Sequence, residues 1–130
     1  MTKKLSMVLV AGMLGAMAVG SASAADGDWK RGRVYYRMVC TDCHVSKGGG
    51  AIAPSTKTKA EWAAYIQADK HAKGKDSLKY YVSTKYRDSI KATNKAAAKY
   101  TDMSDAALLE DLKAFTIHGA KDSDSPAGCN

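Results

Sequence analysis

The feature that most constrains this chain is the C-x-x-C-H pattern formed by Cys40, Cys43 and His44. Two thiols three positions apart on one helical turn can each add across one vinyl group of the same porphyrin, and the next imidazole can then bind the iron. A zinc site would need a second ligand pair at a regular spacing, which the sequence lacks. A redox-active cysteine pair does not need the adjoining histidine and normally follows a βαβ pattern, which is absent. The pattern therefore predicts one haem c, bound covalently through Cys40 and Cys43, with His44 as the proximal iron ligand.

The N-terminus has the pattern of a secretory signal peptide. Two lysines precede an apolar stretch over residues 5–20 and an Ala-Ser-Ala sequence at 22–24. A transmembrane anchor is the alternative, but the stretch is short for a bilayer and rich in Gly and Ala. We therefore expect a signal peptide over 1–24, a folded domain over 25–120 and a flexible C-terminal tail over 121–130. The chain is then periplasmic or otherwise exported, without a stable membrane span after cleavage.

Charge is unevenly distributed along the chain. Residues 57–99 carry eleven basic and four acidic side chains, whereas residues 100–130 carry two basic and six acidic ones. Most of the lysines are expected to form a solvated face, and a docking surface for an acidic redox partner is the functional alternative. Export and the lack of a recognition motif disfavour nucleic acid as a partner. The third cysteine, Cys129, either forms an intermolecular disulfide or has no role.

Helical patterns flank the haem motif on both sides. Apolar residues at helical spacing over 29–39 predict a helix running into Cys40, and Gly32 and Tyr36 lie near one face of it. The pattern over 104–115 predicts a second helix, with Ser104 as its N-cap and a Leu/Phe stripe. Between them, a capping box over 58–61 predicts a helix that contains Trp62.

These two outer helices resemble the N- and C-terminal helices of the class I cytochrome c family. The matching pattern is Gly32-x-x-x-Tyr36-x-x-x-Cys40-x-x-Cys43-His44, together with the stripe that ends in Leu112 and Phe115. The resemblance is strong over 28–54 and 100–117. It implies a small all-α domain wrapped around one covalent haem, in which Gly32 lets the last helix cross against the first.

The resemblance also implies two further residues at the cofactor. Members of the family commonly have a proline whose carbonyl accepts a hydrogen bond from the proximal imidazole, and Pro54 is the matching residue, with a plain loop proline as the alternative. Trp62 is expected in the core, and the resemblance implies that it lies along the haem edge.

The sixth iron ligand is open at this stage. Electron carriers of the family usually supply a methionine sulfur from the loop before the last helix, and Met103 is the thioether that could do so. However, Met103 directly precedes Ser104, where a residue that packs onto the helix start is expected. His71, His118 and a water-bound or open iron are the other choices.

The resulting expectation is a single-haem c-type cytochrome that carries one electron between periplasmic partners. It is not expected to be an enzyme, because no cluster combines an acid, a base and a nucleophile. The alternatives are a haem-based binder or sensor of small ligands with an open distal site, and a haem subunit of a larger oxidoreductase complex.

Overall fold

A computed structural model describes residues 26–71 and 75–128 of the chain. The predicted signal peptide over 1–24 and Cys129 lie outside the described residues. Every regular element within the described ranges is helical, which confirms the all-α class there. The α-helices are α1 (Trp29–Tyr35), α2 (Asp42–Ser46), α3 (Lys59–Ala68), α4 (Leu78–Val82), α5 (Thr84–Ile90), α6 (Lys95–Ala98) and α7 (Asp105–His118).

The C-x-x-C-H pattern lies on an unbroken helical stretch. Its start is capped by Asp28, whose carboxylate accepts hydrogen bonds from the backbone N–H groups of Lys30 and Arg31. A π-helical turn over Tyr36–Thr41 joins α1 to α2. The helix that was predicted to reach Cys40 therefore continues to Ser46, and the π-helical turn is an addition that the spacing of apolar residues did not indicate.

Two of the predicted helix starts are confirmed by their caps. Thr58 and Glu61 form the capping box of α3: the Thr58 hydroxyl accepts from the Glu61 N–H at 3.2 Å, and the Glu61 carboxylate accepts from the Thr58 N–H at 2.7 Å. Ser104 caps α7 and accepts from the Ala107 N–H at 3.2 Å. These short-range bonds are specified locally, which explains why the sequence predicts them well.

Helices α1 and α7 cross where the backbone of one touches the backbone of the other. A Cβ atom on Gly32 would lie 2.0 Å from the carbonyl oxygen of Asp111, a distance that no side chain tolerates. One turn further on, the rings of Tyr36 and Phe115 pack with their centroids 5.3 Å apart. Both rings belong to the buried core, as does Leu112. The predicted crossing at Gly32 is thus confirmed.

A buried carboxylate holds this crossing from the side of α7. The side chain of Asp111 is 1% exposed. Its oxygens accept hydrogen bonds from the Asp28 backbone N–H at 2.7 Å and from the Arg31 Nη2 at 2.9 Å. The Arg31 Nε donates to the same carboxylate. Because buried charges are stable only when they are paired and hydrogen-bonded, this network specifies how the start of α1 sits on α7.

A buried arginine fixes the chain just before α7. Arg87 is fully buried, and its Nη1 donates to the carbonyl oxygens of Tyr100 and Met103, the latter at 2.9 Å. Its Nη2 donates to the Thr84 hydroxyl at 3.0 Å and to Asp105 Oδ1 at 2.6 Å. The backbone at Met103 is therefore bound to α5 rather than free to move.

Asp105 makes the stability of this region depend on pH. Hydrogen bonds from the Thr84 hydroxyl and backbone N–H, and then from Arg87, hold the pKa of Asp105 below its usual value of 3.8. A lowered pKa in the folded state means that the stabilisation is complete above pH 4 and is lost as the pH falls through the lowered pKa. We expect Thr84→Val to reduce the stability that is lost as the pH falls. Urea unfolding between about pH 2 and 5 would measure this difference. An unchanged pH slope in the variant would contradict the assignment.

The segment that was predicted as a flexible tail is hydrogen-bonded to the rest of the chain where it is described. The Lys121 N–H donates to the Lys57 carbonyl at 2.9 Å, and the Asp122 carboxylate accepts from the Lys59 N–H at 2.8 Å. The Ala127 carbonyl accepts from the Ser55 N–H at 3.1 Å.

Among the described residues, no helix is long and apolar enough to cross a membrane.

Candidate haem site

The two motif cysteines lie on successive helical turns and differ from a redox-active pair. Cys40 lies in the π-helical turn, one residue before its end, and packs against the core, and Cys43 follows in α2. Burial, and then the neighbouring Cys43, raise the pKa of the Cys40 thiol to about 12. The first cysteine of a redox-active C-x-x-C pair has a lowered pKa that favours the thiolate. The raised pKa of Cys40 thus differs from the lowered value typical of such a pair.

His44 meets a second imidazole from a distant part of the chain. Its Nε2 lies 3.4 Å from the Nε2 of His71, and the two rings meet edge to face, with centroids 5.5 Å apart. His71 follows the end of α3, where Asp69 adopts a left-handed backbone conformation with φ of 52°. The carboxylate of Asp69 accepts from the Lys79 N–H at 2.8 Å and so connects the end of α3 to α4.

Tyrosines surround this pair of histidines and the cysteines. The ring of Tyr81 packs on the ring of His71, with centroids 4.9 Å apart, and it also contacts the rings of Tyr86 at 5.1 Å and Tyr80 at 5.4 Å. Burial raises the pKa of Tyr86 to about 12, with further contributions from the thiols of Cys43 and Cys40, so Tyr86 stands beside both. The Tyr35 hydroxyl donates to the Tyr81 carbonyl at 2.7 Å. This wall is aromatic and neutral, as a haem pocket requires.

His71 is suited to bind a metal because it is neutral and incompletely hydrogen-bonded. Burial, and then the proximity of His44, lower the pKa of His71, which favours the unprotonated ring. Its Nδ1 is buried and has no hydrogen-bond partner among the described residues. A neutral imidazole is the form that binds iron.

Pro54 and Trp62 are both buried and bind each other. The indole Nε1 of Trp62 donates to the Pro54 carbonyl oxygen at 2.7 Å. The donors that the structure shows for this carbonyl are the Trp62 indole and, at 3.4 Å, the Lys57 N–H, whereas the resemblance implies His44. The prediction that Trp62 is a core residue is confirmed, since it is 5% exposed. Its place along a haem edge stays a prediction.

The other two ligand choices lie in different surroundings. Met103 packs against the hydrophobic core before α7, and its carbonyl is bound by Arg87. His118, exposed at the end of α7, stacks on Trp29 with ring centroids 3.9 Å apart. Of the three side chains considered as a sixth ligand, His71 is the one that the structure places against His44.

The residues fit a haem better than a lone metal ion. Within residues 26–71 and 75–128, no group of three or more His, Cys, Asp or Glu side chains could hold a metal ion. Two imidazoles alone do not complete a zinc site, which takes four ligands. They do suffice for a haem iron, because the porphyrin supplies the other ligands. Exposed apolar side chains also flank the motif and suit a flat hydrophobic ring: Met38, Val45 and Ile52.

Comparison with known proteins adds no further identification. No protein-family model matches the chain, and neither a curated protein nor a solved structure shows significant similarity to it.

Sequence reasoning missed the residues that act through distant contacts. It did not single out Tyr81 and Tyr86 at the site, or Gly27, whose Cβ position lies 2.1 Å from the Glu110 carbonyl. Gly27 could have been singled out from the sequence, because it lies five residues before Gly32 and both glycines lie against the backbone of α7. The tyrosines had none, because their role depends on how α4 and α5 return to the motif.

Proposed function

We propose that this chain is an exported single-haem c-type cytochrome that carries one electron between redox partners, with a fold similar to that of the cytochrome c family. The observation that supports this most is the close contact between α7 and the helical stretch that carries the two cysteines and the histidine. Cys40, Cys43 and His44 follow directly from a helix that crosses the last helix backbone to backbone at Gly32. This is the arrangement that the sequence resemblance implies.

The residues of the site would perform distinct tasks. Each of the two thiols would bind one vinyl group of the haem through a carbon–sulfur bond, and the thiol proton would be taken up by the other vinyl carbon. His44 would bind the iron, and the neighbouring rings of Tyr81 and Tyr86 would exclude water. When bound, the haem supplies the one-electron couple of its iron. The protein supplies attachment, orientation and a medium of low dielectric constant.

Basic side chains would provide the docking surface for the partners. Lys30, Arg33 and Arg37 are exposed on α1 and the π-helical turn, and the apolar side chains of Val34 and Met38 between them are 46% and 53% exposed. The Lys-rich region over 57–99 adds further positive charge. An acidic redox protein complements such a surface, and its association should weaken as the salt concentration rises.

Covalent haem attachment tests this proposal. The full chain, produced in a bacterium with c-type haem maturation, should yield a protein that retains haem on a denaturing gel and undergoes reversible one-electron reduction. We expect the double variant Cys40→Ala, Cys43→Ala to lose all covalent haem, because both thioether bonds are gone. Pyridine haemochrome spectra would measure the loss.

The matched control is Cys129→Ala, which removes the third cysteine of the chain and should leave haem content unchanged. Folded wild-type protein that carries no covalent haem under these conditions would overturn the proposal. Equal haem staining of the wild type and the double variant would overturn it as well.

A further inference from the structure

The hydrogen bond that the two facing histidines can form is a long one, at 3.4 Å between their Nε2 atoms. A neutral imidazole carries one N–H and one lone pair, so a bond between two Nε2 atoms fixes which nitrogen of each ring holds the proton. Whichever tautomer His71 adopts, its buried Nδ1 has no partner among the described residues. An unsatisfied buried polar atom costs about 1–3 kcal/mol, so the packing around His71, and not its own hydrogen bonds, holds the ring against His44.

The same geometry is close to that of two ligands on opposite sides of one metal. Bonds between imidazole nitrogen and a first-row metal are about 2 Å long, so two such nitrogens on opposite sides lie about 4 Å apart. The observed separation is 3.4 Å, and a small rotation of either ring would supply the difference. His44 belongs to the attachment motif, and His71 therefore stands where a second axial ligand is needed.

The position of His71 is supported by packing on both sides. Asp69 connects the chain before it to α4 through the Lys79 N–H. Tyr81 packs on its ring, and the Tyr81 backbone is in turn bound by the buried Tyr35 hydroxyl. Met103, by contrast, has its backbone bound by Arg87, and its partly buried side chain packs against the core.

We propose that His71 is the second axial ligand of the haem iron, so that the iron has two histidine ligands. This inference rests on the proposed function and deepens it. It replaces the methionine that the family resemblance implies at this position. A filled distal position also makes the protein an electron carrier rather than a binder of small ligands, since exogenous ligands are excluded.

The test uses the purified haem protein and three variants. The wild type should be low-spin in the ferric state by electron paramagnetic resonance and should lack the near-infrared sulfur-to-iron charge-transfer band. Its reduced form should not bind carbon monoxide. We expect His71→Ala to become high-spin and to bind carbon monoxide, and added imidazole to restore the low-spin spectrum. Met103→Leu and His118→Ala should behave like the wild type.

The outcomes separate this inference from the proposed function. If haem is attached but the charge-transfer band is present and disappears in Met103→Leu, His71 is not the ligand, although the cytochrome proposal survives. A low-spin spectrum that persists unchanged in His71→Ala overturns the inference in the same way. Because imidazole rescue requires an intact pocket, high-spin His71→Ala that imidazole does not restore also counts against direct ligation. Absence of covalent haem in the wild type defeats both proposals.

Discussion

Replacing Gly32 with alanine is expected to destabilise the protein by about 3 kcal/mol, the upper part of the range for overpacked sites. The added methyl group would lie 2.0 Å from the carbonyl oxygen of Asp111, and the obstacle is backbone that cannot rotate away. At an unconstrained helical site the same change would stabilise by about 1 kcal/mol, because alanine is the better helix former. The helix crossing therefore makes Gly32→Ala destabilising, although the same substitution is stabilising at an open helical site. Urea unfolding of the purified protein, followed by circular dichroism, would measure the effect.

Gly128→Ala is the matched control, since a Cβ atom at that residue meets nothing within 4 Å. Its stability should stay within about 0.5 kcal/mol of the wild type, as for most surface changes. For a domain of this size, the loss in Gly32→Ala corresponds to a fall in Tm of roughly 10 °C or more. Equal stability of the two variants would mean that α1 and α7 do not approach each other as closely as described.

Replacing His71 with methionine is expected to raise the reduction potential by an amount on the order of 0.1 V. A thioether ligand favours ferrous iron relative to an imidazole, which is why a methionine–histidine pair raises the potential. The change keeps a side chain that can reach the iron, so the haem should stay low-spin. Spectroelectrochemical titration of the wild type and of the variant would give the two potentials directly.

His118→Met serves as the control for this experiment. His118 is exposed and stacks on Trp29 at the end of α7, so the same substitution there should leave the potential unchanged. A potential in His71→Met equal to that of the wild type would contradict axial ligation by His71. Gain of the sulfur-to-iron band in His71→Met alone would show that the new sulfur has taken the place of the imidazole.

The parts of this structure that sequence predicts are those specified by neighbouring residues. The capping box of Thr58 and Glu61 and the N-cap at Ser104 involve groups three residues apart, so the residue types suffice. The crossing at Gly32 was also predictable, because a glycine within a helix costs about 1 kcal/mol and needs a compensating close approach. Haem attachment by the C-x-x-C-H pattern, in contrast, stays a prediction.

The distal side of the site could not be predicted in this way. His71 lies among lysines, a local composition typical of a solvated surface, and meets His44 across 27 residues of sequence. The contact depends on where α3 ends, on the left-handed Asp69 and on the ring of Tyr81. The hydrogen bond from Trp62 to the Pro54 carbonyl likewise depends on the tertiary structure, which decides which donor reaches that carbonyl. None of these contacts leaves a periodic trace in the sequence.

The π-helical turn over Tyr36–Thr41 holds an additional residue between the crossing at Gly32 and the C-x-x-C-H pattern. Such a turn holds one residue more per hydrogen-bonded ring than an α-helix does. A chain one residue shorter here would close the same turns as a continuous α-helix, so the residues after the deletion would keep about the same direction around the axis. His44 would then still face the side of His71, whereas the same deletion within α7 would turn every later residue by about 100°. In evolutionary terms the turn behaves as a single-residue insertion, and no point substitution could reproduce it.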